Sequence, residues 1–174
     1  MSMQIQRPSP SEYASFYAGY VSRVPEGDLL GILESQIGRV QTAFGSVPRD
    51  KEQFRYATDK WSIRELLSHV IDAERVMGFR AFCFSRGDEN TLPSFSENDY
   101  VRNVSLEEVP LMKLIDEFEL VRRGHVAFMT KLTADAWVRS GIANGNAVTV
   151  RALAYILAGH LEHHLGVLES KYLT

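Results

Sequence analysis

Apolar residues recur along the chain at intervals of three and four, the spacing that lays one face of a helix against a core. Leu29, Leu30, Leu33, Ile37, Val40 and Phe44 form one such stripe, predicting a helix over about 29–46 that Asp28 caps and that stops near Gly45 and Pro48. Ser62-Ile-Arg-Glu65 is a capping-box pattern, so a second long helix starts just after Trp61 and runs to about Ser85, before Gly87. Leu114, Phe118, Val121, His125, Phe128 and Leu132 set the register of a third over about 106–131. Val150, Leu153, Ile156, Leu157, Leu161, Leu165 and Leu168 set that of a fourth, capped by Thr149 and reaching about Tyr172. A short helix around 10–21, opened by Pro8-Ser9-Pro10 with Ser9 or Ser11 as its cap, is broken by Val24-Pro25-Glu26-Gly27. No stretch alternates over enough residues to predict a strand. The expected fold is all-α: a four-helix bundle with a short extra N-terminal helix. Element order alone leaves its handedness open, although the long connection after the second helix permits a crossover.

That connection, residues 88–105, is rich in Asn, Ser, Asp and Pro and carries Phe95 and Tyr100. A loop of this length is usually functional or disordered, and its aromatics predict an ordered loop packed over one end of the bundle. Asn144-Gly145-Asn146 marks a turn before the fourth helix.

With 174 residues, 45% of them hydrophobic, the chain suits one domain over residues 1–174, since halving it would leave two pieces with marginal cores. A net charge of −3 argues against a nucleic-acid surface, and Arg122–Arg123 is too short a basic cluster to change that. The lone Cys83 has no partner for an internal disulfide. No signal-peptide pattern and no run long enough to span a membrane is evident, so a cytoplasmic protein without membrane association is expected.

Three histidines stand out. His160 and His164 are four residues apart, within roughly 40° of each other on the apolar face of the fourth helix. His69 falls among Leu66, Val70, Ala73, Val76 and Met77 on the inward face of the second. Neutral imidazoles are common ligands for borderline divalent metals, and three of them leave positions open for water or substrate. The competing possibility is that each merely hydrogen-bonds within the core or lines a wet cleft. His163 lies towards the edge of the stripe and is the weaker candidate.

Arg80, eleven residues after His69, shares that helix's inward face, where its guanidinium could anchor an anionic substrate. It could equally pair with a carboxylate such as Glu117 or Glu119. Cys83 reads as a small core residue, and His125 as facing neighbouring helices or solvent. Glu65, Asp72 and Glu74 are the carboxylates near His69, Glu74 lying off the stripe, and none is singled out as a general base. The chain lacks a Gly-x-Ser-x-Gly elbow, a glycine-rich phosphate loop and zinc-finger cysteine pairs, so catalytic residues stay unassigned.

Taken together, VPEGDLLGILESQI, YATDKWSIRELLSHVIDAERVMGFRAFCFSRGD, LPSFSENDYV and VRALAYILAGHLEHHLGVLESKYL resemble the DinB superfamily, and in particular its branch of small metal-binding four-helix bundles, over nearly the whole chain. The resemblance implies a divalent ion, with nickel, zinc, iron and manganese all found in the family, bound by His69, His160 and His164 but not by the adjacent His163. It implies an up-down-down-up bundle, often dimeric, with LPSFSENDYV near its open end. Known relatives include isomerases and S-transferases that use a low-molecular-weight thiol, and many are described as metal-dependent hydrolases. Shared ligands do not determine the reaction.

Two functional readings follow. In one, a metal-dependent hydrolase or thiol S-transferase acts on a small electrophilic substrate, as a homodimer, with Arg80 as the substrate anchor. In the other, the chain is a non-catalytic metal- or small-ligand-binding bundle of the stress response. Neither invokes nucleic acid.

Overall fold

A computed structural model describes residues 4–173 of the chain. Its helices are α1 (Ala18–Val21), α2 (Leu29–Gly45), α3 (Ile63–Ser85), α4 (Glu97–Asn103), α5 (Leu111–Met129), α6 (Ala134–Val138) and α7 (Val150–Val167). The four long ones, α2, α3, α5 and α7, form the bundle, and local chemistry fixes where three of them begin. Asp28 accepts from the Leu30 N–H at 3.2 Å. Ser62 and Glu65 close the capping box, with the Ser62 N–H donating to Glu65 at 2.6 Å. Thr149 accepts from the Ala152 N–H at 3.2 Å. Each bond satisfies a donor that the first helical turn would otherwise leave orphaned.

The bundle's order follows from its packing: α3 lies against α5 and α7, and α2 against the same two, so the consecutive helices α2 and α3 sit on a diagonal. Directions follow from cross-helix bonds. Gln36 reaches the Ala158 carbonyl and Arg39 reaches Glu162, so α2 and α7 run parallel. Arg122 binds the Leu33 carbonyl while Gln41 binds Glu119, which makes α2 and α5 antiparallel. His69, near the start of α3, meets His160 and His164, near the end of α7, so these two are antiparallel as well. The result is up-down-down-up. The connection through residues 86–110 makes this possible, because α3 and α5 are adjacent and parallel.

Several elements depart from the sequence expectation. The N-terminal segment is not one helix over 10–21 but two 3₁₀ turns, Pro10–Glu12 and Ser15–Tyr17, leading into α1, because Tyr13 and Ala14 are extended between them. The third long helix begins at Leu111 rather than 106, with Pro110 at its cap and no N–H to extend the ladder backwards. A two-stranded antiparallel hairpin, β1 (Ser140–Ala143) and β2 (Asn146–Thr149), stands where only a turn was expected. Its strands are too short for alternation to register, but Asn144 and Gly145 both adopt positive φ (51° and 71°), the backbone that Asn-Gly hairpin turns favour. Residues 88–105 are ordered: Leu92 pairs with the hairpin beside Ala143, and α4 follows. Past Val167 the last helix continues as a π turn, Leu168–Tyr172, and Tyr172 donates to the Trp61 carbonyl at 2.7 Å.

Between α2, α3 and α5 lies a buried polar network. Arg122, fully buried, makes a two-pronged ion pair with Glu74 (2.6 and 2.9 Å) and donates to Gln36 Oε1 at 2.6 Å. Arg122 is therefore not part of a surface basic cluster. Glu74, placed off the stripe by the sequence pattern, is buried and also faces His125 Nδ1 at 3.3 Å. The His125 ring packs on Gly78, where any Cβ would overlap it. Cys83 is a buried free thiol.

Candidate metal centre

His69, His160 and His164 come together on the facing sides of α3 and α7, with ligand atoms all within 4.8 Å of one another. His160 Nε2 lies 3.1 Å from His69 Nε2 and 3.1 Å from His164 Nε2. An Nε2 atom carries either one proton or one lone pair, so His160 cannot complete a hydrogen bond to both neighbours at once. A single shared cation would satisfy all three nitrogens at once. Nitrogens bound at ~2.0 Å around a tetrahedral ion lie roughly 3.3 Å apart. The donor set therefore fits a borderline divalent metal held by three neutral imidazoles. Among the described residues, no fourth histidine, cysteine or carboxylate joins the group.

The electrostatics are consistent with uncharged ligands. Burial, with His163 nearby, depresses His69 to about 4. Burial and then His69 and His163 bring His164 to about 3. His160 is driven well below its ordinary value, by desolvation first and then by its histidine neighbours and Arg122. Three imidazoles are thus ready to coordinate without first losing protons. Nδ1 of His69 and of His164 is buried without a hydrogen-bond partner among the described residues, so no carboxylate among them orients these rings. Aromatic packing holds His69 and His160. Trp61 lies against His69 with ring centroids 4.6 Å apart, and Tyr20 meets His160 edge-on at 5.3 Å. His163, half-buried, packs beside His164 and Tyr20 without entering the cluster.

A cavity opens on each side of the triad. The first, about 340 Å³, includes His69 and His160 in its wall, with Tyr17, Tyr20 and Phe95. Arg80 and Met77 lie deeper along α3 in the same wall. The second, about 280 Å³, is bordered by His164, His163, Trp61 and Tyr172. Glu97, exposed at the start of α4, borders both.

The chain matches the family model of the DinB superfamily over residues 32–168, well over half its length. The chain belongs to the DinB superfamily. No curated protein matches it. A solved structure does: YfiT from Bacillus subtilis, at 12% identity and a TM-score of 0.72, over 84% of this chain and 86% of that one. YfiT is described as a probable metal-dependent hydrolase with an unusual four-helix bundle topology, and the two share that bundle fold. No helix among the described residues is long and apolar enough to cross a membrane.

The three histidines read from sequence as inward-facing come together between α3 and α7, His69 and His164 buried and His160 half-buried. Arg80 is buried and borders the first cavity, and it pairs with neither Glu117 nor Glu119, which bind Arg75 and Arg123 instead. None of the carboxylates considered from sequence borders either cavity. Glu65 is engaged by Arg55 and the Ser62 N–H, Glu74 by Arg122, and Asp72 is half-buried outside both walls. Glu97 was missed because it lies in the connection, where no periodicity points a side chain towards the site. Its only signal was the Ser96-x-x-Asp99 cap that starts α4.

Proposed function

We propose that this DinB protein is a metal-dependent enzyme, a hydrolase or low-molecular-weight-thiol S-transferase, acting on a small electrophilic substrate. The observation that carries the reading is the convergence of three Nε2 atoms between two cavities, with no fourth protein ligand among the described residues. Catalytic metal sites keep such positions open, whereas structural sites close them. A bound divalent ion would supply Lewis acidity there and favour the ionised form of a water or thiol.

The remaining work falls to the chain's own groups. His69, His160 and His164 hold the ion, and Trp61 and Tyr20 fix two of the rings by packing. Glu97 borders both cavities, and we assign to it the role of accepting a proton from the attacking group. Tyr17, Tyr20 and Phe95 wall the first cavity and give it aromatic surface against which the substrate's body packs. Two separate cavities suit a reaction with two partners, one delivering the electrophile and the other the nucleophile.

The test is a turnover screen of the protein reconstituted with nickel, zinc, iron and manganese in turn, using activated esters alone and haloarenes with a low-molecular-weight thiol. Activity that depends on metal, disappears in His164→Ala and falls at least tenfold in Glu97→Gln with metal content unchanged supports the reading. Full metal occupancy without turnover of any substrate class would favour the non-catalytic binding bundle.

A further inference from the structure

Arg80 is 3% exposed and borders the first cavity, yet no carboxylate pairs with it among the described residues. Its hydrogen-bond partners are the Pro93 carbonyl, at 2.7 Å from Nη2, and the Met77 thioether, at 3.5 Å from Nη1, and the Tyr17 phenol lies beside it. A guanidinium has five N–H donors and a full charge, and burying it against a carbonyl, a sulfur and a neutral phenol leaves that charge without an anionic partner. Holding Pro93 in place would require only a single donor. The other charged side chain in the same wall, Glu97, stands exposed at the mouth and makes no ion pair with Arg80.

Between Arg80 and the triad the side of the cavity formed by α3 and α7 is apolar, while Tyr17, Tyr20, Ser94 and Asn144 supply polar atoms elsewhere in the wall. Arg80 leans back along α3 onto Met77, which lies eight residues, or about 12 Å of helix rise, beyond His69. Ala73, Met77, Ile156 and Leu157 line this stretch, and Phe95 and Phe16, the latter 59% exposed, flank it. A buried cation at one end, an apolar trough in the middle and a Lewis-acid site at the other define a ligand by its chemistry.

We propose that the first cavity binds a small monocarboxylate with an apolar or aryl body, its carboxylate on Arg80 and its body in the trough pointing towards the histidine triad. This rests on the reading of the site given above, for which it names the substrate class. Charge-assisted, two-pronged bonding to a carboxylate is the interaction that a desolvated guanidinium lacks here. Tyr17 lines the cavity beside Arg80; burial raises its phenol, while the nearby Arg80 opposes the rise.

The test compares 4-phenylbutyrate with its neutral amide by titration calorimetry, on metal-loaded and chelator-treated protein, in wild type, Arg80→Gln and Arg80→Lys, with metal content measured in every sample. The acid is expected to bind about tenfold or more tightly than the amide in both metal states. Arg80→Gln should erase that preference with metal content unchanged, and Arg80→Lys should keep part of it. Equal affinity for acid and amide in wild type overturns the proposal, and this comparison stands even if Arg80→Gln does not fold. Acid binding that vanishes on chelation but survives Arg80→Gln also overturns it, because the ion then takes the carboxylate; the metal-centre reading would survive that result. Failure of the metal-centre reading shows separately, as protein without metal.

Discussion

The backbone carbonyl oxygen of Tyr20 lies 1.9 Å from where a Cβ on Gly159 would stand, so only glycine lets α1 settle directly on α7 at this point. That approach brings the Tyr20 ring onto His160 and His163. Because the obstacle is backbone, a side chain here cannot simply swing aside. Gly159→Ala is expected to lower stability by ~1–3 kcal/mol, as overpacking does. Urea denaturation would measure it; a midpoint equal to wild type would mean that α1 shifts freely.

The buried Glu74–Arg122 pair predicts an asymmetric response. Removing one partner strands a charge, so Glu74→Ala or Arg122→Ala should each cost about 3–5 kcal/mol. The double replacement Glu74→Leu with Arg122→Met should recover most of that loss. If the double variant is as unstable as the sum of the singles, the network contributes more than charge compensation.

Glu12 ties the N-terminal segment to the start of α7. It accepts two bonds from Arg151 (2.5 and 2.6 Å), one from Thr149 Oγ1 at 2.9 Å and one from the Ser9 N–H at 2.9 Å. The Arg151 bonds above all, opposed by burial and aided by Ser9 and Thr149, hold its carboxyl down at about 2. A folded-state value below the unfolded one means the stabilisation is complete above about 4.5 and is lost as the pH falls towards 2. Glu12→Gln should therefore be less stable than wild type at neutral pH and should flatten the stability loss within that acid window. Parallel acid limbs in the two proteins would show that Glu12 does not carry the effect.

The long helices were legible because each buries a continuous stripe, and a stripe is what hydrophobic spacing records. The histidines were legible for the same reason: His69, His160 and His164 occupy positions that apolar residues would otherwise fill. Arg122 and Glu74 lay within reach of the same logic. Arg122 is four residues after Phe118 and Glu74 four after Val70, so both fall near buried positions, but a charged residue reads as surface until its partner on another helix is seen. Glu97 and the hairpin left little trace, since a seven-residue helix and two four-residue strands are too short to show a period. The pairing of α3 with α7 across a crossover, which brings residues ninety positions apart into contact, is set by tertiary packing and has no local signature.

His69, His160 and His164 are expected to hold one divalent ion between them. Elemental analysis of protein purified without an affinity tag, after reconstitution and desalting, tests it on wild type and on His69→Ala, His160→Ala, His164→Ala, His163→Ala and His125→Ala. About one ion per chain in wild type, His163→Ala and His125→Ala, with loss in the three triad variants, is the predicted result. An absence of metal from reconstituted wild type, or equal loss in all five variants, would contradict the account.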